Sequence, residues 1–218
     1  LIAVITNSFV PCNGRFPTLI AIITMFFAFS AGPFQPGLSA ALLCGAVVLG
    51  IAMTLLVSRA LSKTVLRGVP SSFALELPPY RRPQIGKVIV RSIFDRTAFV
   101  LARAAAAAAP AGLAVWVMAN VHAGGQSLLA HCAGFFDPFA RALGLDGVLF
   151  MAFVLGFPAN EIVMPIAVMC YLSTGGMAEL GSLEALRALL VSRGWTWLTA
   201  VCALIFSLMH WPCATTCW

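Results

Sequence analysis

Residues 156–165, Gly-Phe-Pro-Ala-Asn-Glu-Ile-Val-Met-Pro, constrain the fold more than any other part of the chain. They place two prolines, Asn160 and Glu161 inside an apolar run from about 148 to 172. A run of that length is typical of a membrane-spanning helix, but each proline removes a backbone donor and breaks or kinks the helix. Interrupted backbone at membrane depth is tolerated only where protein buries it or where it lines a wet cavity. The segment therefore predicts a substrate site near the middle of the bilayer.

The composition places the whole chain in a membrane. Hydrophobic residues make up 61% of the sequence and charged residues only 9%, whereas soluble domains carry about 25% charged residues. Nine of the thirteen Lys and Arg residues fall within 59–103. This clustering beside apolar spans predicts that residues 59–103 are mostly cytoplasmic, and it argues against a nucleic-acid partner. We expect an all-α, polytopic membrane protein with broken or kinked transmembrane helices.

Three parts follow from the pattern of apolar runs. Residues 1–60 predict a first pair of membrane segments, with a broken helix at 11–15 and a plain spanning helix at 38–57. Residues 61–103 predict a cytoplasmic connection that ends in an amphipathic helix. Residues 104–218 predict a second membrane region, broken at 156–165, with a mixed loop that contains short helical pieces at 122–146 on the outer side. The first and last residues suggest a piece of a longer protein.

Two pairs of polar residues at the breaks are candidate ligands. Glu161 with Asn160 offers oxygen ligands for a cation, because acids inside membranes are usually functional. The alternative is a structural ion pair between Glu161 and Arg15. Cys12 with Asn13 offers a soft thiolate and an amide oxygen for iron(II), copper or zinc. The alternative is a buried thiol beside a proline kink.

A third candidate group lies at the end of the chain, where His210, Cys213 and Cys217 have the spacing H-x-x-C-x-x-x-C. Residues three or four apart share one face of a helix, so two of these side chains could bind one ion. Pro-Cys occurs at Cys12 and again at Cys213, which is a weak sign of an internal repeat. The sequence contains no phosphate-binding Walker loop and no hydrolase motif. It predicts a transport domain and not an enzyme.

Four motifs together resemble FeoB, the family of prokaryotic ferrous-iron transporters. They are NSFVPCNGRFP at 7–17, ELPPYR at 76–81, GFPANE at 156–161 and HWPCATT at 210–216. The resemblance implies the C-terminal part of the membrane domain, including the second gate region of a gate-type transporter. It also implies that Cys12 and Glu161 line the iron path. Other members have Lys before this Glu, where this chain has Asn160.

The resemblance carries further expectations about cargo and partners. The cargo is ferrous iron, and any GTP binding or GTPase activity belongs to an N-terminal domain that, like the first gate, lies outside this chain. The protein is expected in the bacterial cytoplasmic (inner) membrane, surrounded by lipid, and homo-oligomerisation stays open. We expect Cys12, Asn13 and Glu161 to converge at a midplane site, flanked by Cys213 and His210.

One alternative belongs to another functional class. A gate-type secondary transporter of nucleosides would also have broken helices with polar breaks, but it would not need Cys12 or Cys213. Transport of another divalent metal, such as manganese(II), zinc or cobalt, is also compatible with these ligands.

Overall fold

A computed structural model describes residues 2–64, 84–172 and 181–214. The ELPPYR motif and Cys217 lie outside these ranges, and the division into three parts stays a prediction. Short 3-10 helices occur at Asn7–Phe9, Phe29–Phe34 and Asn160–Ile162, and a π-helical segment at Ser92–Ala98. A two-stranded hairpin pairs β1 (His122–Ala123) with β2 (Gln126–Ser127). The helices are α1 (Ile2–Thr6), α2 (Phe16–Phe26), α3 (Gln35–Lys63), α4 (Ile85–Arg91), α5 (Phe99–Asn120), α6 (Leu128–Ala142), α7 (Gly147–Leu155), α8 (Val163–Leu172), α9 (Leu183–Ser192) and α10 (Trp197–Met209).

The predicted helical membrane fold is confirmed. Two helical stretches, Gly32–Lys63 and Ile85–Asn120, are long and apolar enough to cross a membrane. Two bent pairs, α6 with α7 and α9 with α10, turn by 106° and 109° and raise the number of candidate spans to 4. The amphipathic helix predicted at the end of 61–103 and the apolar span that follows it form one helical stretch, Ile85–Asn120. This stretch passes through Pro110.

The region 122–146, predicted as a mixed loop with short helical pieces, contains the β1–β2 hairpin and one longer helix, the 15-residue α6. Ser127 explains where the helix begins, since its hydroxyl accepts a hydrogen bond from the backbone N–H of Ala130 at 3.3 Å. A side-chain cap of this kind satisfies one of the donors that a helix N-terminus leaves free. Gly134 and Pro138, which both disfavour a helix interior, obscured the helix in the sequence.

The apolar run at 148–172 does not cross the membrane once, but turns back as a helical hairpin. Asp146 at the start of α7 accepts a hydrogen bond from the hydroxyl of Tyr171 in the last turn of α8. The two helices are therefore antiparallel, and the turn at 156–162 forms the tip. At 1.5 Å per residue, the 9-residue α7 is about 14 Å long, roughly half of the 30 Å apolar thickness of a bilayer.

Helices α2 and α10 pack beside this hairpin and are also antiparallel to each other. Phe26 at the end of α2 stacks on Trp195, just before α10, with ring centroids 5.8 Å apart. The indole Nε1–H of Trp195 donates to the Tyr171 hydroxyl at 2.9 Å. We call the level of Phe26, Trp195 and Tyr171 the outer end, because it lies away from the basic residues of 59–103. Between it and the hairpin tip lies a packed core with fully buried Leu19, Ile22, Phe153 and Ile166.

Helix α3 gives an independent measure of depth. It has 29 residues and a length of about 43 Å, and its exposed apolar side chains face the lipid. Gly50, close to its middle, packs against the carbonyl oxygen of Phe9, just before the break at 11–15. Near the basic end of α3, the Ser58 hydroxyl donates to the Thr6 hydroxyl at 3.3 Å. The break between α1 and α2 therefore lies near mid-depth, at the level of the hairpin tip.

Candidate metal site at the helix breaks

The three interrupted segments meet around one small cavity at mid-depth. Its volume is about 210 Å³. The walls come from the break before α2, from the hairpin tip and from the segment after α10, so two Pro-Cys pairs that are 201 positions apart in the sequence face the same space. The lining residues are Asn7, Ser8, Val10, Pro11, Cys12, Arg15, Asn160, Pro212 and Cys213.

The side-chain amide of Asn160 links the other two breaks. Its Nδ2 lies 3.8 Å from the Cys12 sulfur, and its Oδ1 lies 3.3 Å from Nε2 of His210. Asn160 and His210 are both 5% exposed. The structure thus brings together three of the predicted site residues, and Cys213 lines the same cavity.

The imidazole of His210 is held in one orientation by its surroundings. Nδ1 lies 3.1 Å from the carbonyl oxygen of Phe206 and 2.9 Å from that of Ser207. The ring stacks on Phe206 with a 10° interplanar angle and also contacts Phe153. Carbonyl oxygens only accept hydrogen bonds, so Nδ1 carries the proton of a neutral ring and Nε2 keeps its lone pair. That lone pair faces Asn160.

Arg15 has a structural role that the sequence interpretation missed. Its side chain is 2% exposed, and its Nη1 atom donates to the carbonyl oxygens of Ser8 at 2.6 Å and Leu208 at 3.1 Å. Its Nη2 atom donates to those of His210 at 3.1 Å and Trp211 at 3.0 Å. Four carbonyl groups that the helix breaks leave without a backbone partner are satisfied in this way.

The alternative of an ion pair between Arg15 and Glu161 was wrong for the described part of the chain. The one ion pair found there joins Arg141 to Asp137. Glu161 is exposed at the hairpin tip, and its carboxylate lies so close to Gly14 that a Cβ atom there would be 2.6 Å from Oε1. The guanidinium of Arg15 instead donates to four backbone carbonyl oxygens.

Asn13 and Glu161 lie beside the cavity and do not line it. Asn13 is exposed in the turn before α2, next to Gly14. A hydrogen bond of 2.8 Å from the backbone N–H of Ala214 to the carbonyl of Phe157 fixes the last segment to the hairpin tip. Across residues 2–64, 84–172 and 181–214, no three His, Cys, Asp or Glu side chains are close enough to hold one metal ion. The predicted ligands therefore surround the cavity without forming a closed metal site.

A second, larger cavity of about 740 Å³ lies at the outer end, beside the β1–β2 hairpin. Two carboxylates line it, but both are engaged in holding α7. Asp146 accepts from the backbone N–H of Leu149 at 2.6 Å, and Asp137 accepts from that of Gly147 at 3.1 Å. These contacts cap the N-terminus of α7 and identify the carboxylates as structural.

Comparison with family models decides the classification. The Gate model, described as "Nucleoside recognition", matches residues 88–218, which is more than half of the chain. The chain belongs to the Gate family. A second model, described as "Ferrous iron transport protein B C terminus", matches residues 43–95 of this Gate protein. The resemblance to the C-terminal part of FeoB is thereby confirmed.

Curated relatives agree with the second model. A protein named Fe(2+) transporter FeoB from Staphylococcus aureus (strain COL) is 27% identical over 223 residues, covering 99% of this chain and 31% of the relative. One of the same name from Methanocaldococcus jannaschii is 21% identical over 230 residues, covering 99% of this chain and 32% of the relative. The Gate protein thus spans about a third of the length of these relatives. No solved structure matches it.

Proposed function

We propose that this chain forms the ion path of a ferrous-iron transporter in the bacterial cytoplasmic membrane, without enzymatic activity of its own. The observation that carries the proposal is the meeting of three helix breaks at a mid-depth cavity lined by Cys12, Asn160 and Cys213. Thiol, amide and imidazole groups suit a borderline cation such as iron(II), and the described residues that line the cavity include no carboxylate. The names of the relatives support iron as the cargo.

The contact between His210 and Asn160 supports a ligand role for both side chains. Nε2 carries a lone pair and faces Oδ1, which is also an acceptor, at 3.3 Å. Two ligands that are each about 2.1 Å from one tetrahedral ion lie about 3.4 Å apart. The two atoms therefore have the separation of neighbouring ligands.

Cys12 and Cys213 would supply the sulfur ligands, while Asn13 and Glu161 would meet the ion at the exposed side of the hairpin tip. The incomplete ligand set suits a transporter, because an ion that is held too tightly cannot leave. We expect the helix breaks to move when the ion enters, bringing Cys12 and Cys213 closer to His210. The core at Leu19, Ile22 and Phe153 fills the space toward the outer end.

The exposed side chains of Glu161 and Asn13 at mid-depth also indicate that another membrane segment covers this side of the protein. The carboxylate of Glu161 cannot face lipid without a large cost. The relatives are about three times longer than this chain. We propose that the first gate of a longer protein covers Glu161 and Asn13, and that GTP acts only through an N-terminal domain of that protein.

The dimensions of the cavity favour an ion over a nucleoside. Pockets for organic ligands usually measure about 300–1,000 Å³, whereas the midplane cavity of about 210 Å³ has room for an ion with a few waters. The outer cavity has the size for an organic molecule, but its two carboxylates are engaged in holding α7.

The test is anaerobic uptake into proteoliposomes that contain the full-length protein. We expect saturable iron(II) uptake that is lost in Cys12→Ser, with manganese(II) and zinc as competing ions. Uptake of labelled uridine or adenosine that is unchanged in Cys12→Ser and Cys213→Ser would instead identify a nucleoside transporter.

A further inference from the structure

The wall of the midplane cavity carries a fixed positive charge. Arg15 lines the cavity and is 2% exposed, and its two Nη atoms donate only to backbone carbonyl oxygens. Of the residues placed in the structure, no Asp or Glu lies within 4.0 Å of its guanidinium. Carbonyl dipoles stabilise the guanidinium but leave its net charge at +1. An arginine in a protein does not lose its proton, so this charge is permanent.

A cation in the same cavity would be repelled by this charge. A sphere with the volume of the cavity is about 7 Å across, so an ion inside it lies within about that distance of the guanidinium. Partly buried charges are screened less than charges in bulk water, and a divalent ion experiences twice the repulsion of a monovalent ion. The four carbonyl contacts keep the guanidinium from moving away when the ion enters.

We propose that Arg15 is the residue that limits cation affinity at this site and thereby makes release fast. The inference rests on the proposed function, because it concerns the same cavity and the same cargo. Transport requires binding that is strong enough for entry and weak enough for exit. A fixed charge next to soft ligands meets both needs, since a positive charge stabilises thiolates that select the ion and also repels the ion that they bind.

Two substitutions separate the charge of Arg15 from its contacts. Arg15→Gln removes the charge but keeps an N–H₂ group that can donate to carbonyl oxygens. Arg15→Lys keeps the charge but loses the planar fork that reaches four carbonyls. If Arg15 served only to hold the backbone, both changes would loosen the cavity and lower the affinity for metal.

The experiment measures cobalt(II) binding by the purified full-length protein in lipid nanodiscs, from the sulfur-to-cobalt charge-transfer absorption. We expect Arg15→Gln to lower the Kd for cobalt(II) by tenfold or more, and Arg15→Lys to leave it equal or higher. In proteoliposomes, Arg15→Gln should lower both KM and the maximal rate of iron(II) uptake, because release becomes slow. A Kd that rises or stays unchanged in Arg15→Gln overturns the inference but not the proposed function. A wild-type protein that binds no cobalt(II) and takes up no iron(II) overturns both.

A second pair of variants covers the case in which Arg15→Gln does not insert into the membrane. Asn7 lines the cavity and is not among the proposed ligands. Asn7→Lys adds a second positive charge, and Asn7→Leu adds an apolar side chain that has neither a charge nor a ligand atom. We expect the Lys variant to bind cobalt(II) at least fivefold more weakly than the Leu variant. Equal affinities would overturn the inference.

Discussion

Gly50 offers the sharpest test of how the α1–α2 break is positioned, because α3 contains a matched control. A Cβ atom at Gly50 would lie 2.5 Å from the carbonyl oxygen of Phe9 and 3.4 Å from Cδ of Pro11. A Cβ atom at Gly45, one and a half turns earlier on α3, would have nothing within 4 Å. Both glycines lie in the helix interior, so replacement by Ala raises helix propensity by about the same 1 kcal/mol.

The expected effect of Gly50→Ala follows from that overlap. Ordinary contact begins at 3.4 Å, so the Phe9 carbonyl must move by about 0.9 Å. Overpacking of this kind costs about 1–3 kcal/mol, which offsets or exceeds the gain in propensity. Phe9 is three residues before Cys12, and a shift of about 1 Å in a binding residue can lower a rate by on the order of 100-fold.

The assay compares both variants in anaerobic iron(II) uptake and in thermal unfolding in detergent. We expect Gly45→Ala to match the wild type in uptake and to be equally or more stable. Gly50→Ala should insert normally but lose at least tenfold in uptake rate. Equal uptake by the two variants would refute the conclusion that α3 positions the break through this contact.

Three further predictions concern the cavity and the tip beside it. Glu161→Ala should abolish iron(II) uptake while the protein still inserts, whereas Glu184→Ala, on the exposed face of α9, should transport normally; wild-type uptake by the first variant would refute a role for this carboxylate. Cys12→Ser should abolish iron(II) uptake through loss of a soft ligand, and Cys44→Ser on the lipid-facing side of α3 serves as its control. Gly14→Ala should displace the Glu161 carboxylate by about 0.8 Å, from 2.6 Å to ordinary contact at 3.4 Å, so its uptake should fall toward that of Glu161→Ala. If Gly14→Ala transports like the wild type, the carboxylate does not need its observed position.

Local sequence chemistry was enough to predict the interrupted helices. Pro158 and Gly156 end α7, and Pro17 lies in the first turn of α2, because proline lacks the backbone donor that a helix interior needs. The direction of the chain after a break could not be predicted from the same residues. The contact between Tyr171 and Asp146 turns the run at 148–172 into a hairpin, and a contact over 25 positions leaves no periodic signal in the sequence.

The candidate site was predictable in its residue types but not in its arrangement. Cys12, Asn160 and His210 were recognisable as candidates because polar groups at membrane depth are costly and are usually functional. The partner of Arg15 could not be inferred, since carbonyl oxygens exist at every residue and only the fold shows which ones lack a helix partner. The role of Gly50 could not be predicted either. In the sequence, a glycine that packs against another segment looks the same as a glycine that faces lipid.

X-ray absorption at the iron edge tests the central claim most directly, namely that the three helix breaks together form a ferrous-iron site. The measurement uses the full-length protein loaded anaerobically with iron(II), beside the Cys12→Ser and His210→Ala variants. We expect sulfur and nitrogen or oxygen neighbours around iron in the wild type, with fewer sulfur neighbours in Cys12→Ser and an altered nitrogen shell in His210→Ala. A spectrum with oxygen neighbours alone, identical in all three proteins, would contradict it.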